Sequence, residues 1–199
     1  MNEKRIEQQT LPKIGQQTPD GIFIGQYEPK DSEGKSLGKI FNAFAAPEDL
    51  DGVLTYIDTK DHIASLKNWY GFDGADYATA KDFVEALKDN TYTGGWVICP
   101  FDLLAGEDFY SCEKTKSGSL LAAKNKGVLK GSFKKASDKI LKAKDAEPAY
   151  YWSSTEERFN TSMMLSARLS DGDAAWGIKD FTRMSCRPVR LVALPIAAQ

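Results

Sequence analysis

The sequence has a single histidine, His62, and only three cysteines, Cys99, Cys112 and Cys186, among its 199 residues. A Ser-His-Asp or Cys-His catalytic site would have to use His62, which lies in a segment typical of an amphipathic helix start. The cysteines are odd in number and far apart, which argues against a disulfide framework and a CxxC zinc motif. We interpret them as structural or free thiols, with a Cys99–Cys186 disulfide as the alternative. We expect no catalytic residue, no metal site and no cofactor.

The chain also lacks an excess of charge and a long apolar run. It carries 26 Lys and Arg against 28 Asp and Glu, a formal net charge of -2. A dedicated nucleic-acid binder needs surplus cations, so we expect no nucleic-acid partner. No run reaches the roughly 18 apolar residues of a transmembrane helix, so we expect no membrane insertion. The polar N-terminus does not resemble a signal peptide, which predicts cytoplasmic synthesis without classical secretion.

The remaining composition, 42% hydrophobic and 27% charged, is typical of a globular domain. Residues 1–17 are polar without apolar periodicity and are predicted to form a flexible arm before a single domain over 18–199. A polar, irregular stretch near 101–118 is predicted to be a loop insertion. Apolar patterning predicts strands over 20–27, 39–46, 53–57, 96–100, 150–154, 162–169, 174–178 and 187–194. It predicts helices from 59 or 61 to 69, over 79–88 and 119–124, and from 132 or 133 to 144.

The most informative motifs lie toward the C-terminus. They are Tyr-Trp-Ser-Ser-Thr-Glu at 151–156, an Asp-Gly hairpin-turn signal at 171–172 and Arg-Pro-Val-Arg at 187–190. Upstream stand Gly-Trp-Val-Ile-Cys-Pro at 95–100, a Leu-rich segment at 120–126 and Gly-Ser-Phe at 131–133.

In order and spacing, from about residue 78 to 192, these motifs resemble a bacterial and phage family typified by the C-terminal domain of collagen-like adhesins. Two departures are the insertion at 101–118 and a longer helix over 137–148. The resemblance implies an α+β protein with a C-type-lectin-like fold, which means a mixed antiparallel sheet, two main helices and long irregular loops.

The resemblance also implies a function. It indicates a non-enzymatic ligand-binding protein for receptor recognition or adhesion, located on a phage virion or a bacterial cell surface. Its partner would be a protein or glycan on a cell surface, and a homo-oligomer is left open. Some relatives are variable proteins of diversity-generating retroelements, which scatter changes over the C-terminal hairpin. The same resemblance makes this chain a candidate variable protein.

Three other functions are weighed against this one. A structural or decoration subunit of a phage particle would use the same hairpin against a neighbouring subunit. A formylglycine-generating-like enzyme needs two reactive cysteines in one cleft, and Cys186 has no second cysteine nearby in the sequence. A calcium-dependent lectin needs six to eight oxygen ligands. Some of those oxygens could come from Glu156, Glu157, Asn160, Asp171 and Asp173, but the usual calcium-lectin signatures are missing.

The hairpin region is rich in aromatic, Met and Arg side chains, which are enriched at recognition surfaces. Because about half of a hairpin's side chains point inward, we expect a mixed surface on which Trp176 or Phe181 is exposed. We interpret Arg187 and Arg190 as fold-locking ion pairs with Glu156 or Asp180, with ligand contact as the alternative. The predicted ligand-binding residues are Arg158, Phe159, Asn160, Thr161, Met163, Asp173, Ala175, Trp176, Ile178, Asp180, Phe181 and Arg183.

Overall fold

The computed structural model describes residues 11–31, 35–105, 150–168 and 174–194. They form two antiparallel sheets with three helices, which confirms the α+β class. The strands are β1 (Gln17–Thr18), β2 (Gly21–Tyr27), β3 (Phe41–Ala45), β4 (Tyr150–Glu156), β5 (Met163–Arg168), β6 (Ala174–Ile178) and β7 (Val189–Ala193). The helices are α1 (Tyr56–Ser65), α2 (Ala80–Lys88) and α3 (Phe101–Ala105). No helix in this part of the chain is long and apolar enough to cross a membrane.

The first sheet joins the N-terminal strands to the C-terminal strand in the order β1-β2-β3-β7. The strands predicted over 20–27 and 39–46 are present as β2 and β3 and pair with each other, and β7 adds to the other edge of β3 with Val189 opposite Ala45. The end of the predicted arm also takes part. The Gly15 N–H donates to the Phe23 carbonyl at 2.8 Å. Backbone hydrogen bonding to β2 therefore begins at Gly15, before the predicted start of the domain at residue 18.

The second sheet, in the order β4-β5-β6, lies between two clusters of buried apolar side chains. Successive side chains of a strand point to opposite faces. Trp152 and Met164 accordingly belong to one cluster, while Tyr151 and Leu165 belong to the other. Both faces of β4 are covered, and all five residues from Tyr151 to Thr155 are accordingly buried. The Ser153 hydroxyl donates to the Leu165 carbonyl at 2.8 Å, which satisfies one buried backbone group.

Helix α2 confirms its prediction, with Thr79 as the N-cap and an apolar face buried in the core. Helix α1 corrects two predictions. The strand expected over 53–57 is wrong, because the Thr55 hydroxyl accepts from the Asp58 N–H at 3.1 Å and starts a helix at Tyr56. The helix also ends at Ser65 rather than at 69.

Two further predictions need correction around Pro100. The segment 96–100 is buried as expected, but it pairs only through isolated bridges, Trp96 with Gly74 and Val97 with Val189. The predicted insertion at 101–118 opens with helix α3, which packs against β4 and β5. Its remainder lies outside the described residues. The predicted helices at 119–124 and 132–144, Cys112 and the Asp171-Gly172 turn lie outside them as well.

The thiols of Cys99 and Cys186 are both buried and free, so the alternative disulfide between them is wrong. Burial raises the pKa of each thiol well above its usual range. Both groups are therefore protonated near neutral pH, and a protonated thiol is a poor nucleophile. Their packing is that of small apolar side chains.

Candidate ligand-binding surface

Two turns meet at one end of the second sheet. Because the strands are antiparallel, the turn over 157–162 and the segment over 179–183 lie at the same end of β4, β5 and β6. The Lys179 N–H donates to the Ser162 carbonyl at 2.9 Å and joins the two turns. The Lys179 ammonium lies 2.6 Å from the Glu156 carboxylate, both partly buried. The ends of β4 and β6 are thus fastened to each other across β5.

Large apolar side chains are exposed on these turns and on the edge strand β6. The exposed fraction is 76% for Phe159, 80% for Phe181 and 52% for Trp176. The expected exposure of Trp176 or Phe181 is therefore confirmed for both residues. We use the term hairpin-end surface for the exposed members of the predicted set. They are Arg158, Phe159, Asn160, Thr161, Trp176, Ile178, Asp180, Phe181 and Arg183.

Three predicted ligand-binding residues are not among these exposed ones. Met163 and Ala175 are half-buried. Asp173 lies outside the described residues. The structure therefore exposes nine of the twelve predicted residues, on the two turns and on the edge strand β6 of the second sheet.

The opposite side of β6 has no room for variation. A Cβ atom added to Gly177 would lie 2.6 Å from Cη2 of Trp152 and 2.9 Å from Cε of Met184. Trp152 is itself fixed, because its indole N–H donates to the Leu54 carbonyl at 2.9 Å. Strand β6 thus alternates between a tightly packed inner position at Gly177 and exposed outer positions at Trp176 and Ile178.

Three polar side chains form hydrogen bonds to the backbone within the turns. The Glu157 carboxylate accepts from the Phe159 N–H at 2.9 Å, and the Asn160 side-chain oxygen accepts from the Ser162 N–H at 3.1 Å. The Thr182 hydroxyl accepts from the Ile178 N–H at 3.0 Å. These bonds fix the backbone of both turns and leave the aromatic rings exposed.

The start of α1 borders the same surface, which the sequence analysis missed. The Ile57 N–H donates to the Lys179 carbonyl at 3.3 Å, and Leu54 exchanges two hydrogen bonds of 3.0 Å with Met184. Val53 and Ile57 are 53% and 44% exposed. The sequence analysis did not select Val53 and Ile57, because it predicted a strand over 53–57. The signal that could have found them is the Thr55-x-x-Asp58 capping pattern.

Arg187 and Arg190 lie away from the exposed surface, so the fold-locking interpretation is confirmed, although both predicted partners are wrong. Arg187 pairs with Asp49 at 2.5 Å, and Arg190 pairs with Asp20 at 2.5 Å. Both arginine side chains are almost fully buried. Because β7 pairs with β3 in the first sheet, these side chains meet the N-terminal part of the chain rather than the hairpin. Glu156 instead pairs with Lys179, and Asp180 is exposed.

The Arg190 guanidinium has two further contacts. Its Nε donates to the Gly94 carbonyl at 2.8 Å, and its Cζ lies 3.3 Å from the centroid of the Phe72 ring. Asp20 and Gly94 belong to two different loops. Arg190 therefore ties both loops to strand β7, which is a structural role for the second arginine of the motif.

The described candidates for calcium binding serve the turns. Glu156 forms an ion pair, and Glu157 and Asn160 accept backbone hydrogen bonds. Asp171 and Asp173 lie outside the described residues. Across residues 11–31, 35–105, 150–168 and 174–194, no group of three or more His, Cys, Asp or Glu side chains is placed to hold a metal ion.

No protein-family model and no curated protein sequence matches the chain. The function is therefore inferred from the hairpin-end surface and the scaffold beneath it.

Proposed function

We propose that this chain is a non-enzymatic ligand-binding protein with a C-type-lectin-like fold, which uses the hairpin-end surface for receptor recognition or adhesion. One observation carries the proposal. Phe159 and Phe181 are exposed on the turns at one end of the second sheet, and Trp176 is exposed on its edge strand β6, while β4 and β5 are packed on both faces. Exposed aromatic clusters mark interaction sites, because leaving such rings in water costs free energy that a partner's surface recovers.

The placement of the motifs supports the fold part of the proposal. The Tyr-Trp-Ser-Ser-Thr run is buried in β4, and the two arginines of Arg-Pro-Val-Arg are buried and form ion pairs with Asp49 and Asp20. These motifs therefore belong to the scaffold. The residues between them supply the exposed turns, as expected for a rigid fold that displays a changeable hairpin.

The same separation supports a diversifiable surface. On β6, Trp176 and Ile178 are exposed while Gly177 between them fills a closed site. Because Trp176 and Ile178 are each more than a third exposed, we expect substitutions there to be tolerated better than at Gly177. We therefore propose that the chain is the variable protein of a diversity-generating retroelement, displayed on a phage virion or a bacterial cell surface.

The binding role can be tested with a phage-displayed library of random 12-residue peptides and a glycan array, both probed with the whole chain. We expect selected probes to lose about 10-fold or more in affinity to Phe159→Ala and to Phe181→Ala, because central aromatic side chains dominate recognition energy. The free energy of unfolding should change by less than about 0.5 kcal/mol, because both rings are exposed.

The matched control is Ile40→Ala, which removes an exposed apolar side chain next to β3 in the other sheet. It should leave the affinity unchanged. The binding proposal is wrong if the two phenylalanine variants bind like the unchanged chain, or if they unfold the domain.

A further inference from the structure

We propose that the recognition surface extends over the start of α1, and that its partner is a protein with an apolar centre and carboxylates at its rim. This inference rests on the proposed function and adds two things to it. It adds Val53 and Ile57 to the binding residues, and it selects a protein over a glycan.

The first step is the continuity of the surface. The segment 179–183 carries Asp180, Phe181 and Arg183 of the hairpin-end surface. It is hydrogen-bonded to the start of α1, because the Ile57 N–H donates to the Lys179 carbonyl. Next to it, Leu54 pairs with Met184 through both backbone groups. These three bonds fix the backbone beside Val53 and Ile57 against the segment that carries Phe181. A partner covering Phe181 would therefore reach the start of α1.

The second step is the chemistry that the surface offers. Recognition of a glycan depends on polar side chains that bond to hydroxyl groups. Here the side-chain oxygens of Glu157, Asn160 and Thr182 accept backbone hydrogen bonds within the turns, and Lys179 is paired with Glu156. The exposed large apolar side chains of this surface, Phe159, Trp176, Ile178 and Phe181, offer the aromatic and aliphatic contacts that form the buried core of a protein interface.

The third step is the charge at the rim. Within the part of the chain that the structure describes, the exposed guanidinium groups of Arg158 and Arg183 have no ion-pair partner. The Arg158 guanidinium lies 5.0 Å from the centroid of the Phe159 ring, so it is held beside an aromatic contact. Guanidinium groups pair with carboxylates in fixed geometry. A complementary partner therefore carries Asp or Glu around its apolar centre, with one cation opposite Asp180.

The test uses the 12-residue peptide library and the glycan array on the whole chain. We expect the enriched peptides to combine aromatic or aliphatic residues with Asp or Glu. We expect the chain to bind no glycan on the array. A synthetic copy of the most enriched peptide should lose about fivefold or more in affinity to Ile57→Ser and to Val53→Ser. Ile40→Ser is the matched control and should bind like the unchanged chain. Thermal unfolding of each variant shows that it is folded.

A charge-swap arm tests the rim. Arg183→Gln should lower the affinity for the peptide. For a peptide whose Asp and Glu are replaced by Asn and Gln, the Arg183→Gln variant and the unchanged chain should bind with the same affinity. If Phe181→Ala loses the peptide while folded Ile57→Ser and Val53→Ser keep it, the extension over α1 is wrong and the proposed function stands. If glycans bind and no peptide does, the protein partner is wrong and the proposed function again stands. If no probe binds, the proposed function fails with the inference.

Discussion

Replacing Arg187 with Met is expected to lower the free energy of unfolding by about 3–5 kcal/mol, the usual cost of removing one partner of a buried ion pair. The Arg187 Nε lies 2.5 Å from the Asp49 carboxylate, and a second nitrogen donates to the Ala46 carbonyl at 3.0 Å. Tyr151 donates its hydroxyl to the same carboxylate at 2.9 Å. Without the guanidinium, Asp49 is left as a buried charge that keeps the hydrogen bond from the Tyr151 hydroxyl.

Urea unfolding followed by circular dichroism measures this effect. Three variants make the result specific. Lys60→Met breaks exposed ion pairs with Asp61 and Asp76 and should cost less than about 1 kcal/mol. The loss of unfolding free energy for Arg187→Lys should lie between the losses for Arg187→Met and Lys60→Met, because lysine keeps the charge but lacks the planar, forked geometry of the guanidinium. Arg187→Met combined with Asp49→Asn should recover part of the loss, since the uncompensated charge is gone. A loss for Arg187→Met as small as that for Lys60→Met would contradict the locking role.

Replacing Gly177 with Ala is expected to cost about 2 kcal/mol, within the usual range for overpacking a closed core site. The added methyl group would lie 2.6 Å from Cη2 of Trp152, 2.9 Å from Cε of Met184 and 2.9 Å from Cβ of Thr182. The indole cannot withdraw easily, because it is hydrogen-bonded to Leu54 and packed against the Tyr56 ring at 5.8 Å between centroids.

The control for this prediction is the next residue of the same strand. Ile178→Ala removes a larger group from an exposed position and should change the free energy of unfolding by less than about 1 kcal/mol. The melting temperature should therefore fall by about 4–8 °C for Gly177→Ala and by much less for Ile178→Ala. Equal shifts for the two variants would show that β6 does not separate a closed inner side from a tolerant outer side.

How well each element could be predicted depends on how local its signal is. Helix α2 was predictable because its cap, Thr79, and its apolar face all lie within ten residues of one another. The five-residue run from Val53 to Ile57 looks like a strand, because its β-branched and aromatic residues favour one. It became a helix start because the Thr55 cap satisfies a free backbone N–H and Tyr56 is buried beside Trp152.

The ion pairs show the limit of sequence reasoning for this chain. Burial and pairing of Arg187 could be predicted from its place beside Pro188 in an apolar strand. Its partner, Asp49, stands 138 positions away, and no periodicity or spacing connects the two residues. Only the pairing of β7 with β3 brings them together.

Only one aspect of the exposed surface, the alternation of side chains along β6, could be predicted from the sequence. Alternation along β6 implies that one set of side chains points outward, but it does not say which set. Gly177 decides this, because the space beside Trp152 accepts no side chain and therefore places Trp176 and Ile178 outside. Two glycines or two large residues at these positions would have left the orientation open.

The most direct test of the central claim, a diversifiable surface on an invariant scaffold, is a DNA measurement. The DNA encoding residues 151–194 would be sequenced with its flanks and searched for a near-copy that differs only at adenines and lies next to a reverse transcriptase gene. The account predicts such a copy, with the altered codons falling on hairpin-end positions such as Phe159, Trp176 and Phe181. The codons for Trp152 and Gly177 should be unchanged. Absence of a near-copy, or differences concentrated in the codons of buried residues, would contradict the claim.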